Sequence, residues 1–200
     1  MAGTDRIEDI VRALDGPGPT SSDFDLNPEV VLPPGRTLRN AGVLCAIEDH
    51  PRGPMIILTK RSARLKHHPG QIAFPGGKQD ETDADPVDAA LREAEEEIGL
   101  PRDLVEVLGM MSAHETVTGF MVTPVIGRVT APFEDRPEMG EVDEVFRVPL
   151  SHVTDTGRFR IEGRRWRGSI RHYYTVPYGP YYIWGATARI LRTLAERIDR

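Results

Sequence analysis

The chain has 200 residues, 39% of them hydrophobic and 28% charged, which is the balance of a globular protein long enough to bury a sizeable core. Its formal charge of -6 offers no basic face for nonspecific nucleic-acid binding, although a local cationic patch can still meet a phosphorylated small molecule. One cysteine, Cys45, excludes an internal disulfide and suits a reducing compartment.

The opening segment carries acids where a secretory leader has a basic and then an apolar stretch. No run approaches the ~18 apolar residues of a membrane span, so a cytoplasmic protein with no membrane partner and no nucleic-acid partner is expected. Residues 4–15 place Ile7, Ile10, Val11 and Leu14 at helical spacing, with Thr4 or Asp5 as caps. Gly16, Pro17, Gly18 and Pro19 stop that helix, and 16–36 has no period. Residues 1–36 therefore read as a helix and a wrapping arm, followed by a main domain over 37–200. Strands are expected at 43–47, with Cys45 in the core, and at 55–59, around a polar turn. A short extended piece at 71–74 precedes strands at 104–112, 120–129 and 142–148, and a hairpin built from 159–161 and 169–176. Helices are expected at 86–98 and 186–198. They do not alternate regularly with the strands, which favours an α/β/α sandwich around a mixed sheet over a Rossmann fold.

The segment DPVDAALREAEEEIGLP, 85–101, carries the chemistry. Asp85 suits the N-cap and Pro86 the first turn; Gly99 and Pro101 end the helix. Val87, Ala90, Leu91, Ala94 and Ile98 form the stripe that packs on the sheet. Glu93, Glu96 and Glu97, at i, i+3 and i+4, share a neighbouring face, whereas Glu95 points to the opposite flank. Three carboxylates together repel, and a hard divalent cation with a taste for oxygen ligands removes that cost. A solvated acidic face is the bland alternative. Arg92 is placed to pair with Asp88 or Glu96. Upstream, Phe74, Pro75, Gly76 and Gly77 lead into a loop of acids, Asp80, Glu81 and Asp83; paired glycines let backbone carbonyls come close to a metal or phosphate.

These residues resemble a known family. The run REAEEEIGL, 92–100, is similar to the second half of the Nudix box, R-E-apolar-x-E-E-x-G-apolar. In the first half, Gly77 is followed after five residues by Asp83 where the family has Glu, and eight residues rather than seven lead on to Arg92. That insertion is typical of the coenzyme A diphosphatase subgroup. Its second signature resembles ILTKRSARLKHHPGQIAFPGG, 57–77, with Ile57 in place of Leu and Lys66 in place of Arg. The latter change exchanges a bidentate fork for a point charge. Further similarity lies in TGFMVTPV (118–125), EVFRVPL (144–150) and YIWGATARIL (182–191), so the resemblance covers roughly 37–195.

The resemblance implies a Nudix-type α/β/α sandwich with a loop-helix-loop, and magnesium or manganese held by Glu93 and Glu97 with Glu96 as a further ligand. Arg92 belongs to the same catalytic set, and Gly76 or Gly77 adds a backbone carbonyl. It implies hydrolysis of coenzyme A or an acyl-CoA to 3′,5′-ADP and 4′-phosphopantetheine. The competing readings are another nucleoside diphosphate derivative (ADP-ribose, NADH or an oxidised nucleotide) and a non-catalytic binding module. Glu93, Glu141 and Glu144 are candidate proton acceptors. Lys60, Arg61, Arg64 and Lys66 form a basic cluster; Arg61, Arg64 and Lys66 are the candidates to bind the small-molecule substrate, coenzyme A or a derivative. His67 and His68 are too close in sequence to share a zinc ion but suit a place near phosphates. His114 is read in a loop, either facing the site or structural. Trp184, Tyr181 and Tyr182 are read as core packing, with an adenine platform as the alternative. A monomer or homodimer is expected.

Overall fold

Two long strands that are apolar on both faces decide the architecture. The protein is described by a computed structural model covering residues 3–16, 18–166 and 168–199. In chain order these form α1 (Ile7–Leu14), β1 (Ser21–Ser22), β2 (Arg39–Glu48), β3 (Met55–Arg61), β4 (Ile72–Ala73) and β5 (Gly76–Lys78). Then follow α2 (Pro86–Ile98), β6 (Val105–Met110), β7 (His114–Glu115), β8 (Phe120–Val129), β9 (Val142–Pro149), α3 (Leu150–Val153), β10 (Arg160–Trp166), β11 (Ser169–Thr175) and α4 (Gly185–Ile198). Among the described residues, β1–β9 make one sheet and β10–β11 a separate hairpin. β2 lies at the centre, parallel to β8 along its whole length and antiparallel to β3 and β5. The sheet is therefore mixed, as expected.

Side chains alternate across a strand, so β2 feeds two cores. Leu44 and Ala46 pack with Ile57 against Ala90, Ala94 and Ile98 of α2. Cys45 and Ile47 face the other way, with Ile56 and Leu58, against Leu191 and Leu194 of α4 and Ile10 of α1. One helix on one face and two on the other complete the α/β/α sandwich. Burial raises the pKa of the Cys45 thiol, which keeps it protonated and inert.

Several elements differ from the sequence reading. The first helix starts at Ile7, and neither Thr4 nor Asp5 caps it. The Thr4 hydroxyl instead donates to Asp9 (2.6 Å) and accepts from the Arg6 N–H (3.1 Å). Val11 is exposed and Ala13 is buried in its place. Gly76 and Gly77 are not in a loop but in β5, paired with Val43 and Gly42. β7 and β1, a short parallel pair, had no signal of their own length. The segment 104–112 divides into a 3-10 turn at Arg102–Leu104 and β6, and the hairpin is longer than expected. No helix among the described residues is long and apolar enough to cross a membrane.

The placement of α2 is what matters for the site. Asp85 caps it, accepting from the N–H groups of Val87 (2.8 Å) and Asp88 (2.9 Å), and the helix ends at Gly99 in the left-handed region, both as expected. Small residues, Ala90 and Ala94, let it lie close to the sheet. Gly42 of β2 completes that approach: a Cβ there would collide with the Pro86 carbonyl oxygen and meet the Ala90 nitrogen at 3.0 Å. The obstacle is backbone, so no rotamer relieves it. Gly42→Ala is expected to cost about 1–3 kcal/mol, lowering the thermal midpoint by roughly 2–12 °C. Calorimetry checks this, and an unchanged midpoint would mean the helix is free to lift off the sheet.

Candidate active site

Arg92 organises the entry to α2. Its Nε and Nη2 grip the two oxygens of Asp83 (2.9 Å each), a bidentate fork on a buried carboxylate. The Nη2 also donates to the Lys78 carbonyl (3.2 Å), and the Nη1 donates to Glu93 (3.0 Å) and Glu96 (2.9 Å). One guanidinium thus ties the acidic loop back onto the helix. The Arg92 hydrogen bonds hold the Asp83 carboxyl down at about 2, against the opposing effect of burial. Of the two partners expected for Arg92, only Glu96 is used. Asp88 is taken by Arg102, at 2.6 Å. The loop acid Asp80 lies near Lys78 and Arg92 (3.7 and 3.8 Å), and Glu81 is exposed.

The glutamates do not turn the same way. Glu97 is 4% exposed, and its Oε2 accepts from the Gly76 N–H (3.1 Å). Glu93 is folded over Gly77, where a Cβ would overlap its carboxylate. Glu96 is turned outward, its side chain mostly exposed and held by Arg92. Glu95 lies on the opposite flank as expected, 3.6 Å from Arg102. Burial raises the pKa of Glu97 to about 7, with repulsion from Glu93 and Glu141 adding to it, while the Gly76 N–H and Arg61 oppose the rise. Glu93 is raised in the same way, by burial first and then by Glu96 and Glu141, against Arg92. Glu141 is therefore electrostatically part of this group. Glu144 is not: it accepts a 2.5 Å hydrogen bond from the Tyr181 hydroxyl. Among the described residues no three side chains of His, Cys, Asp and Glu type stand gathered around one point. The donor chemistry nonetheless fits a hard divalent cation, because these are oxygen ligands whose mutual repulsion and burial favour any arriving positive charge.

A cavity of about 470 Å³ opens beside this group, with Gly76, Val43 and Arg61 on its wall. Arg61 projects from the end of β3, and its Nε is buried without a hydrogen-bond partner among the described residues. Arg64 and Lys66 are exposed and do not line the cavity. His68, in the left-handed region (φ 56°), does line it; burial and then Arg61 push its pKa down. His67 is exposed on the outside. The three aromatic residues separate. Trp184 lines the cavity, edge-on to Tyr173 (5.1 Å), whereas Tyr181 stacks on Phe146 (3.6 Å) and Tyr182 is exposed with its hydroxyl on Glu162 (2.6 Å).

The arm and the hairpin close the cavity, and the sequence reading had not singled out their residues. β1 lies on β7, and His114, fully buried rather than in a loop, bonds Ser21 (2.9 Å) and lies 3.4 Å from Asp23. Asn27 accepts from the His172 N–H (2.8 Å) and donates to its carbonyl (2.9 Å), a two-way clasp between arm and β11. Arg164, Arg171 and Arg189 line the same cavity from β10, β11 and α4. The basic run at 164–165 was the one signal for any of them, and nothing in the sequence says that it faces inward.

Comparison with known proteins gives a consistent answer. The model of the NUDIX domain matches residues 37–167. The uncharacterized Nudix hydrolase NudL of Escherichia coli strain K12 is 42% identical over 160 residues, 80% of this chain and 83% of that protein. Among solved structures, the Nudix hydrolase RenU of M. smegmatis is 26% identical with a TM-score of 0.50, covering 60% of this chain and 75% of that one. The NUDIX domain of Shewanella oneidensis NrtR, complexed with ADP ribose, is 16% identical with a TM-score of 0.53, covering 84% and 94%, and shares the fold.

The buried carboxylate of Glu97 has a signature in the metal-free protein. Its folded pKa lies above its unfolded value, so the associated stability is present below about pH 4.5 and is lost as pH rises through about 7. Glu97→Gln keeps the acceptor for Gly76 and removes the charge. In chelator, the variant is expected to melt above the wild type at pH 8, with the gap closing toward pH 5. Thermal scans across that range check it; a variant that is less stable at pH 8 would contradict the burial of a charged Glu97.

Proposed function

The chain belongs to the Nudix family of hydrolases, and from that premise we propose that it hydrolyses the diphosphate linkage of coenzyme A or an acyl-CoA. The products are 3′,5′-ADP and the corresponding 4′-phosphopantetheine. The observation that carries the reading is the joining of two opposite charges in one place. The buried Glu97 at Gly76, with the half-buried Glu93 over Gly77, meets an arginine-walled cavity in a chain whose net charge is -6. The run 57–77, which keeps the subgroup spacing although Ile57 stands for Leu and Lys66 for Arg, supports the same substrate.

Glu93 and Glu97 would hold a magnesium or manganese ion, with Glu96 as a further ligand after it leaves Arg92. The bound ion neutralises the diphosphate oxygens and makes water a better nucleophile. Arg61, a cavity-wall cation that acts electrostatically on Glu97, positions the diphosphate. Water oxygen bonds to phosphorus, the bridging P–O bond breaks, and the oxygen leaves with the other phosphate, so that one diphosphate yields two phosphomonoesters. With Glu144 engaged by Tyr181, Glu141 is the carboxylate left to take the proton from water, and Glu93 can serve only where it is not a full metal ligand. Arg92 acts at one remove: it keeps Asp83 and Lys78 against the helix, and so keeps β5 under Glu93 and Glu97. Gly76 contributes a backbone N–H to Glu97, and Gly77 the space for Glu93.

Incubation of the protein with coenzyme A and magnesium, followed by product identification, is expected to give the two phosphomonoesters. A parallel panel of ADP-ribose, NADH and an oxidised nucleotide separates the competing substrates. Glu97→Gln should lower turnover by on the order of a hundredfold or more while the protein stays folded. Glu96→Gln should cost less, because Glu96 is turned outward. Wild-type turnover in excess chelator would sink the reading.

A further inference from the structure

The loop between β3 and β4 has no part in the proposed cleavage, yet it is built with care. His68, Pro69, Gly70 and Gln71 form a type II turn. Pro69 suits its second position, Gly70 takes a left-handed φ of 69° at the third, and the Gln71 N–H donates back to the His68 carbonyl (3.3 Å). The turn is fastened to the end of β3. The Gly70 N–H donates to the Arg61 carbonyl (3.0 Å), and the Arg61 N–H donates to that of Gln71 (2.9 Å). His68 is the one residue other than glycine with a left-handed backbone among the described residues, φ 56°. Few side chains accept that conformation; histidine is one of them. The loop thus brings an imidazole to the same cavity as the Arg61 guanidinium, and His68 also borders the open groove beside it.

The two lack a counter-charge. Arg61 has no carboxylate within 4 Å among the described residues, and its Nε is buried without a partner. Burial and then Arg61 hold the His68 pKa down, against Gln71 and Asp23, so the imidazole is uncharged near neutral pH. The other groups that face it leave this unchanged. Asp23 on the arm is already engaged by the Val117 N–H, His114 and Arg171. Across the cavity stand Arg164, Arg171 and His172 of the hairpin and Arg189 of α4, the last paired with Asp25. On the groove side Lys60 stands opposite Glu144 in the β3–β9 register, and His67 is exposed beyond the turn.

We propose that Arg61 and His68 together grip a phosphate of the substrate, and that His68 takes up a proton as that phosphate arrives. This rests on the diphosphatase reading for its ligand and adds to it a second residue and a proton. A phosphate between guanidinium and imidazole reverses what His68 faces. The repulsion from Arg61 is offset, and the imidazolium becomes a charge-assisted donor to oxygen. A diphosphate brings more negative charge than one guanidinium offsets, and the added proton supplies the remainder. A neutral sugar or base gives His68 no reason to protonate. The sign of the linkage follows. The His68 midpoint is higher with ligand bound than without, so affinity is greatest below the free midpoint and falls as pH rises through the bound one.

Proton NMR of the histidine rings, on the full chain in excess magnesium, reads this directly. The chain has six histidines, and the His68 signal is the one lost in His68→Asn. Asparagine accepts the left-handed backbone, so that variant should keep its melting midpoint. Adenosine 5′-diphosphate should raise the His68 midpoint by about 1 pH unit or more, and adenosine should leave it in place. Titration calorimetry should then show wild type binding the diphosphate about tenfold more tightly at pH 6 than at pH 8.5. His68→Asn should lose that pH dependence and bind at both values as wild type does at pH 8.5. His67→Asn should behave as wild type, and Arg61→Gln should weaken binding at both values. A His68 midpoint that the diphosphate leaves in place overturns the proposal. So does the same pH dependence in wild type and His68→Asn, or a diphosphate that binds at neither pH. If the midpoint rises but coenzyme A is not cleaved, the phosphate grip stands and the proposed substrate falls. If coenzyme A is cleaved while the His68 midpoint stays in place, the substrate stands and the grip falls.

Discussion

Glu97 is a carboxylate placed where water barely reaches it, with a single backbone N–H for support and two further glutamates within electrostatic range. Left alone, such a group costs the fold stability and tends to take up a proton. Most of the local structure exists to hold it there. α2 cannot swing its acidic edge outward, because Ala90, Ala94 and Ile98 fix the helix against Leu44 and Ala46 of β2. β5 cannot retreat, because Gly76 and Gly77 are paired with Val43 and Gly42. The glycine at 76 has φ 148°, and a Cβ there would strike the Gly42 carbonyl of β2, while a Cβ at Gly77 would overlap the Glu93 carboxylate on the helix side.

Arg92 shows how the molecule manages the remaining charge. It spends its strongest contact on Asp83, which lies in the loop rather than at the reaction centre, and touches Glu93 and Glu96 only with the outer nitrogen. The loop between β5 and α2 is thereby fastened by an ion pair with low exposure, while Glu97 is left without a cationic partner within 4 Å among the described residues. A bidentate salt bridge on Glu97 would have offset the cost of burying its charge, which on the proposed reading a metal ion offsets instead. The inserted residue in the loop and the replacement of Glu by Asp at position 83 are accommodated together, since the shorter carboxylate still meets both Nε and Nη2 at 2.9 Å.

What the sequence made legible follows the range of the forces involved. The helix 86–98 is local: its cap, its opening proline and its terminal glycine all act within a few residues, and its bounds agree with the reading. The strands with clear apolar alternation were found, though short at their ends. The sandwich followed from the order of elements. Nonlocal features were hidden. Gly76 and Gly77 have no strand propensity and become β5 only because β2 offers them hydrogen-bonding partners. Glu96 was grouped with Glu93 and Glu97 by helical phase alone. The phase is right, but the arc from Glu96 to Glu97 spans about a hundred degrees, and contact with β5 draws in only one edge of it. His114 looked like a loop residue because its two-residue strand exists only through pairing with β8 and with the arm.

The cavity is the furthest case of this. Its cations come from β3, β10, β11 and α4, so the basic cluster at 60–66 and the basic run at 164–165 each announce only part of it, and the net charge of -6 points the other way. Their assembly depends on the arm. Asp23 stands between the buried His114 and Arg171, and Asn27 clasps the backbone of His172, so the arm sets the position of β11 relative to the main sheet. A low-dielectric wall carrying one sign of charge focuses its field into the space it encloses. With acids on the outer turns and arginines facing inward, the protein remains anionic toward solvent while the approach to Glu93 and Glu97 is cationic. On the proposed reading, cationic walls would attract a phosphate-rich ligand that the glutamates alone would repel, and the glutamates would attract the ion that such a ligand needs at its diphosphate. Each half of the proposed site would then supply the charge that the other lacks, with the hairpin and arm forming the wall that faces the carboxylates on α2.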